Sequence, residues 1–136
     1  MKCVLIDTNA YTAFKRGLPE VVEVIGRAKA IRVSVIVLAE LLAGFHFGNQ
    51  EQHNRMELND FLTSPRVACV PVDKETTEHY ARIYRQLRED GKPIPTNDLW
   101  IAATAMQHGW PVLTQDRHFA FIRNLLLLRS PADMLP

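Results

Sequence analysis

Among the 15 acidic residues of this chain, four stand where a carboxylate has no ordinary reason to be. Glu40 lies in the apolar run Val35 to Phe47, and its helical neighbours Ile36, Val37, Ala43 and Gly44 offer it no polar company. Asp98 has Ile101, Ala102 and Ala105 on its side of a helix. Asp7 and Asp116 follow the apolar runs Cys3 to Ile6 and Val112 to Thr114, which puts both beyond the carboxyl ends of strands. An unpaired buried carboxylate costs on the order of several kcal/mol, and four brought together repel one another and resist ionisation. A divalent cation resolves that conflict. All-oxygen ligation without a His or Cys cluster favours Mg²⁺ or Mn²⁺ over Zn²⁺. Such a site suits phosphodiester hydrolysis, in which metal ions activate water, orient the phosphate and neutralise charge on the departing oxygen.

The elements around these acids decide whether they can meet. Cys3 to Ile6 is a continuous apolar run closed by the turn formers Asp7-Thr8-Asn9, as in a strand buried on both faces. Asn9 to Arg16 predicts a short helix closed by Gly17, Glu20 to Lys29 a second with Pro19 at its start, and Ala30 to Ser34 a strand. Val35 to Phe47 is too long an apolar run for one strand and predicts a buried helix, followed by a more polar helix from Gln50 to Leu62. Val67 to Val72 predicts a strand, and Lys74 to Glu89 an amphipathic helix repeating Tyr80, Ile83, Tyr84 and Leu87. After the loop Gly91 to Pro95, Thr96 or Asn97 is expected to cap a helix running to Gln107, with Gly109 stopping it. Strands are expected at Val112 to Thr114 and Leu125 to Leu128. This alternation, without hairpin signals, predicts one α/β domain over residues 1–136, with a mainly parallel central sheet and helices on both faces. Ligands bind such sheets at the carboxyl edge, where Asp7 and Asp116 fall.

Four segments in order carry a resemblance: Ile6-Asp7-Thr8-Asn9, Ser34 through Ala39-Glu40-Leu41 to Gly44, Pro95-Thr96-Asn97-Asp98-Leu99-Trp100-Ile101-Ala102-Ala103, and Leu113-Thr114-Gln115-Asp116-Arg117-His118-Phe119. With this spacing the chain resembles a PIN-domain ribonuclease over nearly its whole length, in particular the small VapC-type toxins of toxin–antitoxin pairs. The resemblance implies a PIN-like three-layer α/β/α fold. It also implies that Asp7, Glu40, Asp98 and Asp116 form the catalytic metal site, directly or through bound waters, with Thr114 supporting them by a hydroxyl hydrogen bond. Thr8 and Asn9 would orient Asp7 or a bound water, and Asn97 would act similarly beside Asp98. The same likeness implies Mg²⁺- or Mn²⁺-dependent endonucleolytic cleavage of RNA, a homodimer, and neutralisation by a small antitoxin that covers the acidic pocket.

The remaining chemistry is sparser. Lys plus Arg is 16 against 15 acids, a formal charge of +1, so contact with RNA must be local. Lys15, Arg16 and Arg117 lie close in sequence to the acids and are the candidates for steering phosphates, whereas Arg82, Arg85 and Arg88 read as a solvated helix face. The five His residues lack ligand spacing, and His118 alone is near the site. Trp100 and Trp110 are expected to pack, and Phe14, Phe45 and Phe47 to serve the core or a dimer contact. Cys3 and Cys69 sit in apolar runs and are expected as buried, reduced thiols, which fits a reducing cytoplasm. Neither a membrane span nor an export signal is expected. Two rival enzymes or receivers fit less well: a haloacid-dehalogenase-like phosphatase needs a second Asp where Asn9 stands, and a response-regulator receiver needs an early acidic pair and a late Lys. A metal- or peptide-binding module of the same fold, without nuclease activity, is the rival from another class.

Overall fold

In a computed structural model, which describes residues 3–134, the chain runs β1 (Cys3–Ile6), α1 (Thr8–Lys15), α2 (Pro19–Arg27), β2 (Ala30–Ser34), α3 (Val35–Phe47), α4 (Glu51–Leu62), β3 (Val67–Val70), α5 (Lys74–Asp90), α6 (Thr96–His108), β4 (Val112–Leu113) and β5 (Leu127–Leu128). One-turn 3-10 segments cover Arg117–Phe121 and Pro131–Asp133. The five strands form one sheet in the order β3-β2-β1-β4-β5, and every pairing is parallel. Helices cover both of its faces in a three-layer α/β/α arrangement, as the alternation of elements requires.

The central strand is β1, whose Val4, Leu5 and Ile6 are wholly buried. It pairs with β2 in register Cys3 to Ala30 and Ile6 to Val33, and with β4 in register Leu5 to Val112. The chain builds outward from β1 through β2 to β3, then returns to lay β4 and β5 on the other side. The carboxyl ends of β1 and β4 therefore flank a topological switch point, the crevice where parallel sheets bind ligands. Beneath it, Ile31, Val33, Val37, Ile101, Leu113 and Phe119 belong to one continuous apolar core. Trp100 packs on Tyr80 with ring centroids 4.2 Å apart, and Trp110 stacks on His108.

Four local expectations are corrected. The helix α3 is not buried all round: Val37 and Leu41 face the core, while Val35, Ala39, Ala43 and Phe47 lie exposed along one stripe at i, i+4, i+8 and i+12. Phe14 and Phe45 pack against the core, but Phe47 is 96% exposed. Cys69 is exposed because β3 is an edge strand with only Val70 fully covered, and Cys3, the first residue of β1, is only part-buried; both are free thiols. That strand stops at Val70 rather than Val72, where Pro71 would remove a ladder donor. Likewise β5 is confined to Leu127–Leu128 instead of starting at Leu125.

Candidate active site

Asp7 occupies the step from β1 into α1 and is only 3% exposed. Its Oδ1 accepts the Ala10 amide at 2.7 Å as the N-cap of α1, and its Oδ2 accepts the hydroxyl of Thr114, just past β4. The cap alone is worth about 0.5–2 kcal/mol. The same Thr114 oxygen accepts the Asp116 amide at 2.9 Å, so one buried hydroxyl ties the ends of β1 and β4 together. Asp116 in turn caps the 3-10 segment, with Oδ1 accepting the His118 amide at 2.8 Å.

Glu40 and Asp98 come from helices. Ser34 Oγ accepts the Ile36 amide at 3.0 Å and starts α3 directly at the carboxyl end of β2, which carries Glu40 over the sheet edge in the second helical turn. There Glu40 meets neutral donors: Thr8 Oγ1 donates to Oε1 at 2.5 Å, and Asn97 Nδ2 donates to Oε2 at 3.2 Å. Thr8 and Asn97 thus serve Glu40, where sequence reasoning gave them to Asp7 and Asp98. Neither Thr96 nor Asn97 caps α6; Pro95 holds the N-cap position without a side-chain bond, which leaves the Asn97 amide free to reach across to α3. Asp98 follows in the first turn of α6, where the helix dipole favours an anion.

The electrostatics join the four acids into one group. Burial pushes the Asp7 carboxyl up to about 6, against the pull of its Thr114 and Ala10 hydrogen bonds, and the charges of Asp98 and Asp116 add to the rise. Asp98 also rises to about 6, first by burial and then by repulsion from Asp116 and Glu40, with the nearby His118 pulling the other way. Among the described residues no Lys or Arg nitrogen comes within 4.0 Å of any of the four. Carboxylates this crowded and this poorly compensated fit a divalent cation, the one species that would satisfy several of them at once.

A protein-family model described as the PIN domain matches residues 4–125. The chain belongs to the PIN-domain family. Within it the VapC ribonucleases are its relatives: Ribonuclease VapC1 of Rickettsia felis is 33% identical over 128 residues, covering 92% of this chain and 94% of that protein. Among solved structures, VapBC2 from Rickettsia felis bound to a DNA fragment from its promoter matches with a TM-score of 0.82 and 27% identity, over 93% of this chain and 97% of that one. VapBC-5 from Mycobacterium tuberculosis, a member of the VapBC family of toxin–antitoxin systems, matches with a TM-score of 0.78 and 25% identity, over 96% and 100%.

Around the acids of this PIN domain the basic candidates divide. Arg16 lines an open cleft of about 570 Å³ with Asn9, Thr12, Leu18 and Gln115, beside the residues that follow Asp7 and precede Asp116. Asn9 is exposed and makes no side-chain hydrogen bond among the described residues, so it faces this cleft rather than bonding Asp7. Lys15 turns away to Glu57 on α4, at 3.4 Å. Arg117 is exposed at the start of the 3-10 segment. On the outer face of α5, Arg85 pairs with Glu89 and Arg88 with the Tyr84 hydroxyl, and Arg82 is exposed. The site residue that spacing alone undervalued is His118, whose Nδ1 approaches Asp116 Oδ1 at 3.0 Å and Asp98 Oδ2 at 3.8 Å. The Asp116-x-His118 sequence ahead of the buried Phe119 was its only signal, since an Asp cap turns the next residues back over itself.

Proposed function

We propose that this PIN domain, a single unit over residues 1–136, is a divalent-metal-dependent endoribonuclease and the toxin of a toxin–antitoxin pair. The observation that carries the reading is the convergence of Asp7, Glu40, Asp98 and Asp116 at one sheet edge without a Lys or Arg counter-ion among the described residues, two of them with carboxyls pushed to about 6. Mg²⁺, with Mn²⁺ as substitute, would supply Lewis-acid activation of water and neutralise charge on the departing oxygen. Asp7, Asp98, Asp116 and Glu40 would hold it. Thr114 fixes Asp7 and the Asp116 backbone, and Thr8 with Asn97 fixes Glu40, so the donor oxygens are positioned before substrate arrives. RNA phosphates would approach over the Arg16 cleft, with Arg117 as a further contact, whereas Lys15 is engaged by Glu57.

The partners follow from the surface and the relatives. The exposed apolar stripe Val35, Ala39, Ala43 and Phe47 on α3 supports a homodimer, because a face of this kind is stabilised by burial against its copy. A protein antitoxin covering the acidic site is supported by the relatives solved as VapBC. Two free thiols fit a reducing cytoplasm, and among the described residues no helix is long and apolar enough to cross a membrane.

The test is incubation of the purified protein with total cellular RNA, in Mg²⁺ or in chelator, followed by mapping of new ends. Discrete ends that appear only with metal, and vanish in Asp98→Asn, are the expected result. Intact RNA in both arms, from a folded protein freed of any partner, would leave a binding module in place of an enzyme.

A further inference from the structure

At the edge of the acidic cluster stands a group that the carboxylate chemistry does not use. The 3-10 segment folds His118 back over Asp116, with half of the ring open to solvent, but Nδ1 itself is buried. That nitrogen has no hydrogen-bond partner among the described residues, for its 3.0 Å approach to Asp116 Oδ1 lies off the ring N–H direction. A buried ring nitrogen left in this state costs on the order of 1–3 kcal/mol. One ligand atom each from Asp98, Asp116 and His118 lie within 4.8 Å of one another, a spacing that one ion with bonds of about 2.0–2.4 Å can span.

We infer that His118 Nδ1 is a direct ligand of the divalent ion held by Asp98 and Asp116, making this part of the site a mixed nitrogen–oxygen centre that prefers Mn²⁺ and later first-row ions to Mg²⁺. The inference rests on the acidic cluster being a divalent-ion site. Ligation uses the tautomer protonated on Nε2, so the Nδ1 lone pair, having no donor to meet among the described residues, is free for the ion. Mg²⁺ is hard, holds its waters and gains little from an imidazole, whereas transition ions bind nitrogen well. The neighbouring Asp7 and Glu40 keep their oxygens among hydroxyl, amide and backbone donors, so the nitrogen changes the chemistry at one end of the cluster only.

The experiment is Mn²⁺ and Mg²⁺ titration calorimetry together with pulsed EPR of the Mn²⁺-loaded protein, without RNA, on wild type, His118→Gln and His118→Ala. The wild type should show the ¹⁴N coupling of a directly bound imidazole, lost in both variants. Mn²⁺ affinity should fall by about tenfold or more, as even outer-shell ligand partners cost that much, while Mg²⁺ affinity moves by less than about twofold. Bound Mn²⁺ without nitrogen coupling in the wild type overturns the role of His118 and leaves the acidic site standing. Failure of Mn²⁺ to bind at all overturns both. The wild-type spectrum decides the matter even if a variant misfolds.

Discussion

Asp7 and Asp98 carry carboxyls raised to the same value, about 6, yet the fold treats them in opposite ways. Asp7 is built into the scaffold: it caps α1, accepts the buried Thr114 hydroxyl, and is lifted chiefly by loss of water. No backbone or hydroxyl donor reaches Asp98 among the described residues. Burial comes first in its rise too, but the charges of Asp116 and Glu40 follow directly. The first carboxylate stabilises local structure while waiting for a cation; the second, eased only by the α6 dipole and by His118, remains strained without one. A shared pKa therefore conceals one acid that the fold needs and one that only the chemistry needs.

Activity is where the two acids should look alike, and the effect should be the largest. Asp7→Asn and Asp98→Asn are each expected to lower metal-dependent RNA cleavage by at least about a thousandfold, the several kcal/mol that metal catalysis supplies. Single-turnover assays with excess Mg²⁺ check this, and near-wild-type rates in either variant would break the comparison.

Next in size is Thr114→Val. It strips Asp7 Oδ2 and the Asp116 amide of a buried partner together, at a cost of about 2–3 kcal/mol, and should lower the thermal midpoint by roughly 10 °C. Stability should then separate the acids. In metal-free buffer at pH 7, Asp98→Asn relieves repulsion and is expected to gain on the order of 2 kcal/mol, about 8 °C. Asp7→Asn gives up its charged hydrogen bonds and should gain nothing or lose. Equal gains in melting temperature would show that Asp7 has no structural role.

The pH dependence sharpens the contrast. A carboxyl near 6 in the folded chain, against an ordinary 3.8, binds a proton that the unfolded chain lacks between those values. Stability contributed by Asp98 is thus full below about 4 and lost as pH rises through about 6. The wild-type-minus-Asp98→Asn difference, followed by denaturant titration, should become more unfavourable to wild type from pH 4 to 7. A flat difference would mean that Asp98 is not strained. Least of all, Asn97→Ala removes one exposed bond to Glu40, and should cost about 0.5–1 kcal/mol in thermal melts.

Most of the layout was legible because parallel strands and amphipathic helices announce themselves by period. The β1 run and its Asp7 stop, Gly109 at the end of α6 with positive φ, and the switch from apolar run to acid after β4 all follow from local pattern. Relative orientation was less legible. That Thr8 reaches Glu40, 32 residues away, depends on how α1 sits against α3, which no local pattern states. The apolar stripe of α3 looked like core because hydrophobicity does not say whether its cover is the same chain. Cys69 misled for the related reason that an edge strand and a central strand share a composition. His118 was visible as a neighbour, but the turn of its ring is fixed by a 3-10 segment too short to show a period.

Anomalous diffraction from a crystal soaked in Mn²⁺, collected near the manganese edge, tests the central claim most directly. A peak about 2.0–2.4 Å from carboxylate oxygens of Asp98 and Asp116, with Asp7 and Glu40 ligating directly or through water, is the predicted result. Mn²⁺ found only elsewhere on the surface, with these four carboxylates left without metal, would contradict it.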